Sequence, residues 1–102
     1  MNKLQGLVTI RLGMPDADFY IKRKGAEKTV GQPTDEYSKE YYGVKVNREF
    51  LVPRYFYYVI MHLHQQGHFQ RHAKGTLRLQ HITLDDLHEA IYTGMVQMRK
   101  RD

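Results

Sequence analysis

Six histidines stand in a chain of 102 residues, and three of them, His64, His68 and His72, recur at every fourth position. On a helix that spacing sets three imidazoles along one face, where neighbouring rings can share a zinc ion. A catalytic zinc also needs carboxylate or second-shell partners, and the chain has neither an HExxH pattern nor any cysteine. The triplet is therefore read as a polar, partly protonatable face, and no metal or other cofactor is expected. His62, His81 and His88 each stand alone in their segments and are expected on polar surface or in satisfied core positions. Nucleophilic catalysis has less to work with. Ser38 is the one serine and lies outside any GxSxG setting. Asp85 and Asp86 are adjacent, so on a helix they point apart, and a first helical turn explains both. Gly25, Gly31 and Gly43 are not at phosphate-loop spacing. No enzymatic activity is expected.

The cations are more informative. Lys22, Arg23, Lys24 and Lys28 crowd around Gly25, where a missing side chain lets a phosphate backbone approach. Arg71, Lys74 and Arg78 bracket Gly75, with Thr76 and Gln80 beside them. Arg and Gln are the side chains that read guanine and adenine edges in a major groove. Lys22, Arg23, Lys24, Lys28 and Arg71 are thus candidate phosphate contacts, and Lys74, Thr76, Arg78 and Gln80 candidate base contacts. Tyr37, Tyr41, Tyr42, Tyr55, Tyr57 and Tyr58 are read as packing residues with wet hydroxyls, those after Pro53 sharing faces with a helical core stripe.

Positioning these residues falls to short elements. Gly6 to Arg11 and Phe19 to Arg23 have the composition of strands, and Tyr42 to Val46 alternates like a third. Ala26 to Gly43 is polar and without period, a loop or irregular segment. Pro53 opens a helix on which Phe56, Val59, Ile60 and Leu63 recur at helical spacing to about Gln66, and Gly67 ends or bends it. Thr76 to His81 alternates Leu77 and Leu79 with Arg78 and Gln80, as a half-buried strand or extended arm would. Thr83 then caps a second helix with Asp85 and Asp86 in its first turn. Leu84, Leu87, Ile91, Met95 and Met98 form its apolar stripe, and Arg99, Lys100 and Arg101 suit its C-terminal dipole. The expected fold class is α+β, a small single domain of short strands with two amphipathic helices over residues 1–102.

That length suits one core and not two. Lys and Arg number 16 against 11 Asp and Glu, and the formal charge of +5 favours polyanionic partners, although it also serves solubility. Tyr55 to Leu63, the most hydrophobic window, is far shorter than the roughly 20 apolar residues of a membrane span. Without a secretory pattern at the N-terminus, the expected location is cytoplasmic and no membrane partner is expected.

The segment from Glu49 to Ile91 resembles the second half of a target-recognition domain from the specificity subunits of type I restriction-modification systems. Pro53, Tyr55, Phe56, Tyr57 and Tyr58 match that family's P-x-Y-L-x-Y-Y-L helix, Lys74, Gly75 and Thr76 its small turn, and Ile82 with Leu87 the exit from it. Leu4 to Gly13 is similar to the family's opening L-x-D-L-x-x-I-x-x-G, and Ile21 to Gly31 to its strand ending in R-x-G-x-x-x-G. The resemblance implies a cytoplasmic, non-catalytic module that binds double-stranded DNA and works with a methyltransferase or restriction subunit; an oligomer is compatible with it. Family members usually carry two such domains joined by long spacer helices. Here one compact unit is followed by a basic tail in place of the family's I-P-x-P strand. The alternative is a small interaction protein, carried by a mobile element, that binds and modulates a restriction, methylation or other defence complex.

Overall fold

The computed structural model describes residues 4–76 and 78–100. Val8 and Ile10 point inward while Thr9 and Arg11 face solvent, the alternation of a strand with one wet face, and they belong to β1 (Val8–Leu12). All three residues of β2 (Phe19–Ile21) are buried, as an inner strand requires. Two residues, Lys24–Gly25, make β3, Pro33–Thr34 make β4, and Tyr42–Val46 make β5. The four strands β1, β5, β2 and β4 pair in that order, all antiparallel, with Val8 opposite Val46 and Phe19 opposite Val44.

Helix α1 (Pro53–Gln65) starts with proline where its missing N–H costs nothing, and buries Phe56, Val59, Ile60 and Leu63. These residues lie over the sheet, where the Phe19 ring meets those of Phe56 and Tyr57 at 6.1 and 5.3 Å between centroids. Gly67 ends α1 outright. In the left-handed region at φ 71°, it donates its N–H to the His64 carbonyl while His68 N–H reaches back to that of Leu63, a Schellman ending. The three imidazoles of the every-fourth spacing therefore do not line one helical face. His68 turns inward, its Nε2–H donating to the Ala90 carbonyl at 2.7 Å, which corrects the expected polar face.

Strands β6 (Lys74–Gly75) and β7 (Gln80–His81) follow, then helix α2 (Leu84–Lys100). Thr83 caps α2 as expected, its Oγ1 accepting from the Asp86 N–H at 3.2 Å. Leu87, Ala90 and Ile91 are fully buried, and Leu84, Met95 and Met98 pack half-buried on the same core. Fold class and architecture are thus a small α+β domain with two antiparallel sheets and two helices. Among the described residues no helix is long and apolar enough to cross a membrane.

Three expectations are corrected in detail. The strand expected from Phe19 to Arg23 changes partner at its end: Lys22 still pairs with Gln32, but the Arg23 carbonyl accepts from Ile82 N–H in the second sheet. Thr76 to His81 is not one half-buried strand, because Thr76 and Leu79 exchange backbone hydrogen bonds and close a hairpin, leaving Leu79 66 % exposed. Tyr58 faces away from the core stripe of α1, and Tyr55 lies at its margin beside Val59, so both are largely exposed. Leu77 and Arg101 lie outside the described residues, as does the side chain of Lys100.

Candidate nucleic-acid interface

The second sheet has the order β3-β7-β6, and its register decides where the cations go. Lys24 pairs with His81, which pairs with Lys74; Gly25 pairs with Gln80, which pairs with Gly75. Residues directly opposite in antiparallel strands share a face, so Lys24, His81 and Lys74 form one transverse row. All three are exposed. With neighbouring strands about 4.8 Å apart, the two lysines are rooted roughly 10 Å from each other. The two glycine-centred cation groups, distant in sequence, therefore meet across a single strand.

The β6–β7 hairpin projects from this row. Leu79 N–H donates to both the carbonyl and the Oγ1 of Thr76, so the Thr76 hydroxyl shapes the turn. Arg78 is exposed at its tip. Gly75, at φ 119°, lies so close to the Leu79 carbonyl that a Cβ there would collide with it. At Gly25, where the sequence suggested room for a phosphate backbone, a Cβ would meet the Thr29 side chain at 3.1 Å.

Lys28 and Arg71 come from two turns that touch. The carbonyls of Glu27 and Lys28 accept from Gln70 Nε2 and His64 Nε2, respectively, which holds the turn at 26–30 against the one after α1. Lys28, Arg71 and Arg78 are exposed and form no ion pair among the described residues. Others are engaged. Lys24 Nζ lies 3.5 Å from Glu40 and Lys74 Nζ 3.9 Å from Asp86. Such exposed pairs contribute about 0–1 kcal/mol and exchange readily for a phosphate. Arg23 Nε donates to the Glu40 carbonyl at 3.3 Å, and Lys22 Nζ to Gln32 Oε1 at 3.0 Å. Lys22 thereby belongs to the wall of the first sheet rather than to the row.

Gln80 departs most from its expected place. It alternates with His81, so its side chain turns to the other face, where Oε1 is buried without a hydrogen-bond partner. A cavity of about 490 Å³ opens between β7 and the start of α2, with Arg23, Lys24 and His81 beside it and Tyr42, Ile82 and Leu84 in its walls. Tyr42 donates its hydroxyl to the Ile82 carbonyl at 2.9 Å, and burial pushes its ionisation above the usual phenol range, against the opposing pull of Arg23. His81, the middle of the cationic row, was not singled out from sequence, and only the pairing of β7 with both flanking strands gives it that role. No group of three or more His, Asp or Glu among the described residues converges as a metal site would. Compared with known proteins, the chain matches no family model, no curated protein and no solved structure.

Proposed function

We propose that this chain is a non-catalytic, duplex-DNA-binding module working in the manner of a target-recognition domain. The observation that carries the reading is the transverse row Lys24–His81–Lys74, capped by a hairpin with Arg78 at its tip. A two-stranded ribbon fits a major groove about 12 Å wide. With β6 and β7 entering the groove, Arg78 meets base edges at the tip, and Lys74 and Lys24 meet phosphates at its border. Lys28 and Arg71 extend the phosphate contacts. The likeness of the Lys74–Gly75–Thr76 turn to the family's small turn supports the same face, and a methyltransferase or restriction subunit is the partner that likeness implies. The test is a filter-binding titration of duplex DNA in low salt: saturable binding weakened by Arg78→Ala is expected, and absence of duplex binding overturns the reading.

A second reading has its own observation. Phe50, Val52, Tyr55 and Tyr58 are each between 59 and 65 % exposed around the start and outer side of α1. Apolar surface gathered in this way is characteristic of protein contacts. On that reading the chain is an adaptor or inhibitor of a restriction, methylation or other defence complex. Association that survives nuclease treatment of a host lysate favours it, and association that disappears favours DNA.

A further inference from the structure

The cavity between β7 and the first turn of α2 belongs to the face of the cationic row, since Lys24 and His81 line it together with Arg23. Its other walls are apolar: Leu79, 66 % exposed, and half-buried Leu84, with Ile82 and the Tyr42 ring buried. Few polar groups are left there to meet a ligand. Tyr42 donates its hydroxyl to the Ile82 carbonyl, the Arg23 carbonyl accepts from Ile82 N–H, and Gln80 Oε1 is closed to solvent. Positive charge is what the cavity does offer. Arg23 is half-buried, and neither it nor His81 forms an ion pair among the described residues. Glu40 and Asp86, the acidic side chains nearby, are each engaged by a lysine, at 3.5 and 3.9 Å. A nucleobase, with donors and acceptors along its edges, would leave them without partners against these walls, and each unpaired polar group weakens binding. An apolar ring bearing one anionic group matches both the walls and the cations. At about 490 Å³ the space is within the range of small-molecule sites.

We infer that this cavity is an effector site for a small carboxylate whose apolar body is one or two rings in size, and that its occupation opposes the binding of duplex DNA. The rings lie against Leu79, Leu84 and the Tyr42 ring, and the carboxylate meets Arg23, Lys24 and His81. Guanidinium pairs with carboxylate through two parallel hydrogen bonds, so Arg23 is the main anchor. Its Nε already donates to the Glu40 carbonyl at 3.3 Å, which steadies the side chain and leaves the terminal nitrogens for the ligand. Lys24 exchanges its contact with Glu40 for the incoming carboxylate. The antagonism rests on the nucleic-acid reading, and the ligand site does not. Lys24 stands both at the cavity and in the row, so a carboxylate held by it withdraws one contact from the phosphate backbone. By linkage, bound duplex weakens the carboxylate by the same factor.

Calorimetric titration of the full chain with naphthalene-2-carboxylate tests the site without any DNA. Saturable binding is expected, weakened at least about tenfold both for the uncharged naphthalene-2-carboxamide and for acetate, which keeps the charge and lacks the rings. Arg23→Gln is expected to bring the carboxylate down to the affinity of the amide while leaving the amide's own affinity unchanged, a pattern that loss of folding does not produce. Leu79→Glu, at an exposed position outside the core, sets a like charge at the cavity and is expected to abolish carboxylate binding with the unfolding temperature retained. No binding of the carboxylate, equal binding of the amide or of acetate, or binding unaltered in both variants overturns the site. Tighter binding of deoxyadenosine monophosphate overturns it too, by giving the cavity to a base. Duplex titrated onto the same protein tests the antagonism. With the carboxylate saturating, the dependence of duplex binding on salt is expected to flatten by about 0.9, the share of one phosphate contact. Duplex affinity and salt dependence untouched by the carboxylate overturn the antagonism. Carboxylate binding without duplex binding upholds the site and removes the ribbon, whereas duplex binding without carboxylate binding removes the site and leaves the ribbon.

Discussion

Raising salt from 50 to 200 mM is the perturbation that bears most directly on the cationic row. Each lysine or arginine that neutralises a phosphate releases condensed counterions, so the logarithm of the association constant falls with that of the salt concentration, at about 0.9 per contact. Lys24, Lys28, Arg71, Lys74 and Arg78 are exposed on the row, its hairpin or the adjoining turns. One phosphate for each of the first four, with Arg78 on the bases, gives a slope of about −3.6, and a fourfold rise in salt then weakens binding roughly 150-fold, about 3 kcal/mol. Removing Lys74 and Arg78 together takes the slope to about −2.7 and the loss to roughly 40-fold over the same range. Arg11, exposed on β1 at an edge of the other sheet, is the matched control, and Arg11→Ala is expected to leave the slope unchanged. Fluorescence anisotropy on a labelled duplex reads all three proteins. A slope near zero, or one flattened by Arg11→Ala and untouched by loss of Lys74 and Arg78, refutes the assignment of phosphate contacts to the second sheet.

Gly75→Ala sets a Cβ against the Leu79 carbonyl at a backbone angle that L side chains rarely adopt, so about 1–3 kcal/mol of strain falls on the hairpin. Duplex affinity should drop with it, and unchanged affinity would detach binding from the ribbon. Phe69 is fully buried, and Phe69→Ala should lower unfolding free energy by about 3–5 kcal/mol in urea, whereas a loss near zero would mean that the turn after α1 adds nothing to the core. Burial holds the His68 imidazole below its ordinary value of 6.5, outweighing the bond to the Ala90 carbonyl, and burial lowers His88 too. Below pH 6.5 the unfolded chain then binds protons that the folded chain resists. Stability should be full above that pH and fall as pH drops towards the folded values. Denaturation at successive pH values checks this, and His68→Gln, which keeps a donor for Ala90, should flatten the decline; an unaltered decline would assign it to other groups.

Much of the local structure was legible in the residues because its causes are local. Pro53 with a helical apolar period gives α1, Thr83 with Asp85 and Asp86 gives the start of α2, and alternation marks β1 and β5 within two residues. The two cation groups around Gly25 and Gly75 were visible for the same reason. Their meeting was not, since it depends on β7 pairing with strands far apart in the chain, and pairing register leaves no mark in two-residue strands. Nor could spacing tell that His68 would turn inward, because Gly67 reverses the backbone and Ala90, on a distant helix, supplies the acceptor. The direction of Gln80 followed the same rule: strand alternation sends it opposite His81, and only the tertiary structure leaves its Oε1 buried without a partner. Composition and periodicity thus determined a small basic α+β domain, its helices and its charge. The tertiary structure decided which charges stand together, because that choice is made by contacts between residues that the chain keeps apart.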